Sequence, residues 1–136
     1  MPNPIYVQAD APLAVIQYLR TIPALTALID PAKIVTEIPS SPIYPYVIVQ
    51  LAGGSGIWPA LDEPALQIDS IGGAKPLCGQ IARTIRAAVW AIANDTVAAG
   101  VLVSGADEMA PAWIPDTVPV PPLPRYTARY RILLHP

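Results

Sequence analysis

Charge is scarce in this sequence: only 13% of its 136 residues are Asp, Glu, Lys or Arg, while 53% are hydrophobic. Soluble domains usually carry about 25% charged residues, so a monomer would struggle to cover itself, and association with further copies is the natural remedy. Net charge is −2 and no block of lysine or arginine occurs, which removes the electrostatic footprint of a protein that grips nucleic acid. A single cysteine, Cys78, excludes an internal disulfide framework and a multi-cysteine zinc site. On a helix it reads as a small buried hydrophobe. The lone histidine, His135, stands next to the C-terminus, a poor place for a rigidly held catalytic base or a histidine metal site. No apolar run is long enough to span a bilayer, since Gln80, Arg83 and Arg86 interrupt Leu77–Ala93. Met1-Pro2-Asn3-Pro4 lacks the basic start and apolar core of a secretory signal, so a cytosolic product is expected. The length suits one domain with one core.

What is present is pattern. From Arg125 to His135 the chain alternates, placing Tyr126, Ala128, Tyr130, Ile132 and Leu134 on one face and Arg125, Thr127, Arg129 and Arg131 on the other. This is a two-faced strand whose apolar set belongs against a core. Asp10 caps a first helix reaching about Arg20, with Pro12 in its first turn, and a further helical turn lies within Ala24–Ile29. Ile34–Ile38 reads as a strand, and Tyr46–Leu51 as a buried strand in the middle of the sheet. Gly53–Pro59 reads as a flexible loop before a strand at Ala65–Ile71, giving a long-looped hairpin. The strongest helical pattern runs from Lys75 to Ala93, with Leu77, Ile81, Ile85, Ala88, Val89 and Ile92 on one stripe. A strand from Val101 to about Met109 and a proline-rich segment, Pro111–Pro124, complete the chain.

Candidate chemistry is thin. Gly72-Gly73-Ala74-Lys75 sits where a phosphate loop would sit but lacks the full motif, and Gly53-Gly54-Ser55-Gly56 fails as a dinucleotide fingerprint. Asp62-Glu63 and Asp107-Glu108 are adjacent carboxylates whose side chains diverge, and both read as solvated. No catalytic, cofactor-binding or metal-binding residue is assigned. Two groups read as interface candidates. One is the pair of tryptophans Trp58 and Trp113 with their neighbours Ile57 and Ile114, in the loops Gly53–Leu61 and Asp107–Val120. The other is Arg125, Arg129 and Arg131, which could meet Gln67 and Asp69 on a neighbouring strand, or carboxylates of another subunit. Folding back onto the domain, or simple solvation, is the plain reading of each group.

Taken in order, the short first helix ending near Pro23-Ala24-Leu25, Pro45-Tyr46-Val47-Ile48-Val49-Gln50-Leu51 followed by glycines, Leu66-Gln67-Ile68-Asp69-Ser70, a helix containing Ala82-Arg83-Thr84-Ile85-Arg86-Ala87-Ala88, and the ending Arg125-Tyr126-Thr127-Ala128-Arg129-Tyr130 resemble one family. It is that of the tail terminator, or tail completion, proteins of long-tailed bacteriophages, particularly actinobacterial phages. The resemblance implies an α+β sandwich: a mixed, mostly antiparallel four- to five-stranded sheet with one long helix and a short N-terminal helix packed on one face. It further implies a non-enzymatic virion protein, assembled in the host cytoplasm as a homohexameric ring at the head-proximal end of the tail. There it would meet the major tail tube protein and the head-tail connector or stopper, while DNA crosses the lumen without stable binding. The proline-rich stretch departs from the family pattern. The alternatives are a head-tail stopper or other neck subunit, and a small cytosolic domain binding an anion at Gly72–Lys75.

Overall fold

Asp10 accepts a hydrogen bond from the Leu13 amide at 3.2 Å, satisfying one of the free donors at the start of α1 (Ala11–Leu19). In the computed structural model, which describes residues 5, 7–57 and 61–136, α1 is followed by a single helical turn, α2 (Pro23–Thr26), and a 3-10 turn at Pro31–Lys33. Among the described residues, six strands form one sheet in the order β1-β2-β3-β6-β5-β4. They are β1 (Ile34–Val35), β2 (Tyr46–Ile57), β3 (Leu61–Ile71), β4 (Asp95–Val97), β5 (Gly100–Trp113) and β6 (Arg125–His135), with α3 (Lys75–Trp90) between β3 and β4. Among the described residues, β1 and β2 run parallel and the other strand pairings are antiparallel.

The class is the α+β one expected, with helices on one face. Its details differ. Among the described residues the sheet has six strands, not four or five, because the short β4, which the sequence did not suggest, adds itself at one margin. Its middle is β3 and β6, not Tyr46–Leu51. The Ile34–Ile38 strand stops at Val35, where the turn-rich Pro39–Pro42 approaches. The long helix ends at Trp90, short of Ala93.

The largest difference is the glycine run. β2 continues through it to Ile57, and β3 starts at Leu61, so most of the expected loop is paired strand. Gly53 (φ +102°) and Gly54 (φ +115°) make a register shift after Leu51. A Cβ on Gly54 would lie 2.5 Å from the Glu63 carbonyl oxygen. These glycines allow a bulge and a close strand contact; they do not loosen the chain. Likewise β5 extends to Trp113, taking in much of the second expected loop.

The core lies between the helices and one sheet face. Tyr130, Ile132, Leu134, Leu66, Val47 and Val49 are completely buried there, beneath Val15 and Leu19 of α1 and Ile81, Ile85 and Val89 of α3. Each large aliphatic side chain so buried contributes about 1.5–3 kcal/mol. Two polar links fix the helices: the Tyr18 hydroxyl donates to the Ala88 carbonyl at 2.7 Å, and Ser70 Oγ donates to the Cys78 carbonyl at 2.9 Å while Cys78 Sγ donates to the Ser70 carbonyl at 3.1 Å. Burial raises the Cys78 thiol pKa, with hydrogen bonds opposing it, as suits an unreactive structural cysteine.

Candidate functional site

The face of the sheet turned away from the helices is the functional candidate. The alternation of β6 that buries Tyr130 and Ile132 must point Arg129 and Arg131 outward, and both are exposed. Of the arginines, Arg129 stands across the β3–β6 pair from Gln67, whereas Asp69 stands across from Thr127. The ion pairs, however, go elsewhere. Arg131 reaches Glu63 of β3 at 3.5 Å and Glu108 of β5 at 3.3 Å. Arg125 donates through Nε to the Ile114 carbonyl at 2.8 Å. Gln67 Nε2 donates to Asp69 at 3.4 Å. Exposed ion pairs contribute only ~0–1 kcal/mol, so this network organises the surface more than it stabilises the fold. Arg129 makes no ion pair among the described residues. A shallow groove of about 480 Å³ crosses this face between Gln67, Glu108, Met109, Ile114, Arg125 and Arg129.

Beyond β5 and β6 the chain forms an arm. Ile114 donates its amide to the Arg125 carbonyl at 3.0 Å, and Asp116 and Leu123 exchange a pair of backbone hydrogen bonds at 3.0 and 2.9 Å. The proline-rich segment thus continues the β5–β6 hairpin. At its tip Val118 is 89% and Val120 95% exposed. At its root Leu123 packs against the small cluster of Tyr46, Ile48 and Ile71.

Of the tryptophans singled out in the sequence, Trp58 lies outside the described residues, as does the side chain of its neighbour Ile57, whose backbone closes β2 against Leu61. Trp113 rests on Tyr126, with ring centroids 5.2 Å apart, and Lys75 Nζ sits 4.3 Å above it. It remains 41% exposed, beside an exposed Ile114. Lys75 is thereby turned onto an aromatic ring, and the Gly72 amide is bonded to the Pro124 carbonyl at 2.8 Å. The Gly72–Lys75 turn is engaged with its own chain.

One cluster escaped the sequence reading. Asp107 accepts from Arg86 Nη2 at 2.7 Å and Nε at 3.1 Å through one oxygen, and from Trp90 Nε1 at 3.0 Å through the other. Arg86 also lies 4.4 Å from the Trp90 ring. The Arg86 hydrogen bonds hold the Asp107 carboxyl below its ordinary value. The available signal was Arg86 and Trp90 at helical i,i+4 spacing outside the apolar stripe. Asp107 and Glu108 diverge, one to Arg86 and the other to Arg131. Asp62 and Glu63 do the same: Asp62 Oδ1 accepts the Glu63 amide while Glu63 pairs with Arg131. Neither pair forms a shared acid/base site. Among the described residues no group of acidic, histidine or cysteine side chains is arranged to hold a metal, and no helix is long and apolar enough to cross a membrane.

Together these features define an α+β sandwich with helices over one sheet face and the other face partly covered, where Leu123 packs on Tyr46, Ile48 and Ile71. No family model matches the chain, and no curated protein does. Among solved structures, it is similar to a chain of the virion of a native gene transfer agent particle, with a TM-score of 0.67 and 21% identity over 94% of this chain and 96% of that one. The likeness is one of fold, end to end.

Proposed function

We propose that this protein is a structural subunit of a phage-like virion, a non-enzymatic tail terminator that forms a homohexameric ring at the head-proximal end of the tail tube. The observation that carries the reading is the match of fold over nearly the whole of both chains to a protein of a gene transfer agent virion. Other features support it. The low charge content calls for assembly, and the arginine-bearing sheet face has Arg131 paired with Glu63 and Glu108 of its own chain. In this reading the tube protein and the head-tail connector are the ring's neighbours. DNA passes a wall whose arginines are mostly matched by Glu63, Glu108 and backbone, so it is not held.

The test is to add purified protein to growing tail tubes and image them. Tubes of defined length bearing a ring at one end are expected. Tubes that grow unchecked, with the protein instead bound to portal-bearing heads, would make it a stopper and overturn the terminator assignment. A monomer or dimer with a ligand-dependent rise in melting temperature would replace the assembly reading by a binding domain.

A further inference from the structure

A sheet strand exposes a row of amide and carbonyl groups wherever it lacks a neighbour. β2 is covered by β1 only at Val47 and Ile48, and β5 by β4 only from Gly100 to Leu102. Among the described residues, the outer edge of β2 from Val49 to Ile57 and that of β5 from Ser104 to Trp113 have no strand or backbone partner. They lie on opposite sides of the same sheet.

Charge and proline guard these edges only in part, although register shifts interrupt both, after Leu51 on β2 and between Leu102 and Ala112 on β5. Val49–Ile57 contains no charged residue and no proline. On β5, Asp107 is paired with Arg86, and Glu108 with Arg131, which it shares with Glu63, all of the same chain, and Pro111 lies near the strand's end.

The two edges also correspond in height. Following the registers across the sheet, Leu51 is level with Leu66, Tyr130 and Asp107, and Gln50 with Gln67, Arg129 and Met109. β2 and β5 run in opposite directions, since three successive antiparallel pairings separate them. Setting the β2 edge of one copy beside the β5 edge of the next therefore makes an antiparallel pair without sliding along the strands. A heterologous contact of that kind closes into a ring when its rotation closes, whereas an axial step would give a filament.

Side chains agree. Leu51 has the parity of Val47 and Val49, so it lies on the helix-bearing side, yet it is 61% exposed beyond the reach of the helices. Level with it at the other edge is Asp107, carrying the indole of Trp90, which is 56% exposed on that same side. The proposed join brings Leu51 of one copy onto Trp90 of the next.

We propose that copies of this chain associate head to tail by antiparallel pairing of the free β2 edge with the free β5 edge, sealed by Leu51 against Trp90, so that the sheet continues from subunit to subunit. This rests on the ring reading above and specifies its interface. Gln50→Cys and Met109→Cys, made separately and together, provide the test. Both positions are level and on the open face, and directly opposed cross-strand Cβ atoms lie about 4.5–5.5 Å apart, within reach of a short bismaleimide. On assembled protein, mixing the two single variants is expected to yield covalent dimers, each single variant alone none, and the double variant a ladder of multimers. Leu51→Lys should weaken association by roughly tenfold or more while leaving the monomer's melting temperature unchanged. Rings of hexameric mass with no crosslink in the mixture, or a single variant crosslinking to itself, would overturn the edge pairing and leave the ring standing. A chain that stays monomeric even with tail tubes present would remove both.

Discussion

Arg86 Nη2 lies 2.7 Å from Asp107 Oδ2, joining α3 to β5. Because these hydrogen bonds lower the Asp107 pKa from its ordinary 3.8, the folded chain binds fewer protons than the unfolded chain in that range. The stabilisation is thus present above the ordinary value and lost as pH falls through the lowered one. Asp107→Asn should melt a few degrees below the parent at neutral pH, and the two curves should converge in strong acid. The pair is partly solvated, so added salt should narrow the gap. A constant difference at all pH values would show that the contribution is packing of Trp90 and not charge.

Tyr130 is completely buried, and its hydroxyl has no hydrogen-bond partner among the described residues. Burial first, and the nearby Asp107 second, push its pKa far up, so it is neutral throughout the working range. A buried polar group without a partner costs about 1–3 kcal/mol. Tyr130→Phe keeps the ring and removes the hydroxyl, and should raise unfolding free energy by roughly 1 kcal/mol in urea titrations. A loss of stability would mean that the hydroxyl is satisfied by trapped water.

Gly105 sits where α3 presses on β5. A Cβ there would come within 2.6 Å of the Val89 carbonyl oxygen and 2.7 Å of Val89 Cγ1. Both belong to a packed helix and cannot swing aside, so Gly105→Ala should cost about 1–3 kcal/mol, read from the denaturation midpoint. An unchanged midpoint would show that α3 can shift outward at little cost.

The strand β6 and the helix α3 were legible because their apolar residues repeat at a period, and a period states both the element and its buried side. The arginine face of β6 followed from the same alternation, while its register against β3, with Arg129 opposite Gln67, comes only from the structure. The glycines of β2 were not legible. A glycine serves a loose loop and a tight bulge equally well, and only the approach of the Glu63–Ala65 backbone to Gly54 shows which applies. That misreading also hid the partner of Arg131, since Glu63 belonged to the supposed loop. The Arg86–Asp107–Trp90 cluster joins residues 17 and 21 positions apart on different elements, and the local i,i+4 spacing of Arg86 and Trp90 does not say which carboxylate they meet.

The arm tests whether fold and assembly can be separated. Its tip from Thr117 to Pro122 is bonded to the body through the Asp116–Leu123 bridge, and its valines face solvent almost completely. Leu123 is different: it packs on Tyr46, Ile48 and Ile71, so Leu123→Ala should lower stability by about 1–2 kcal/mol, less than a fully buried leucine would cost. Replacing Thr117–Pro122 by a two-residue Asn-Gly turn removes no core contact and, as at other exposed loop tips, should leave the melting temperature within a few degrees of the parent. Proline-rich chain has little freedom left to lose on docking, and exposed apolar side chains on such a scaffold fit a contact surface. In the tail assembly assay the trimmed protein should therefore fold normally yet cap tubes poorly. Normal capping would confine the interface to the sheet edges and leave the arm without a part in assembly.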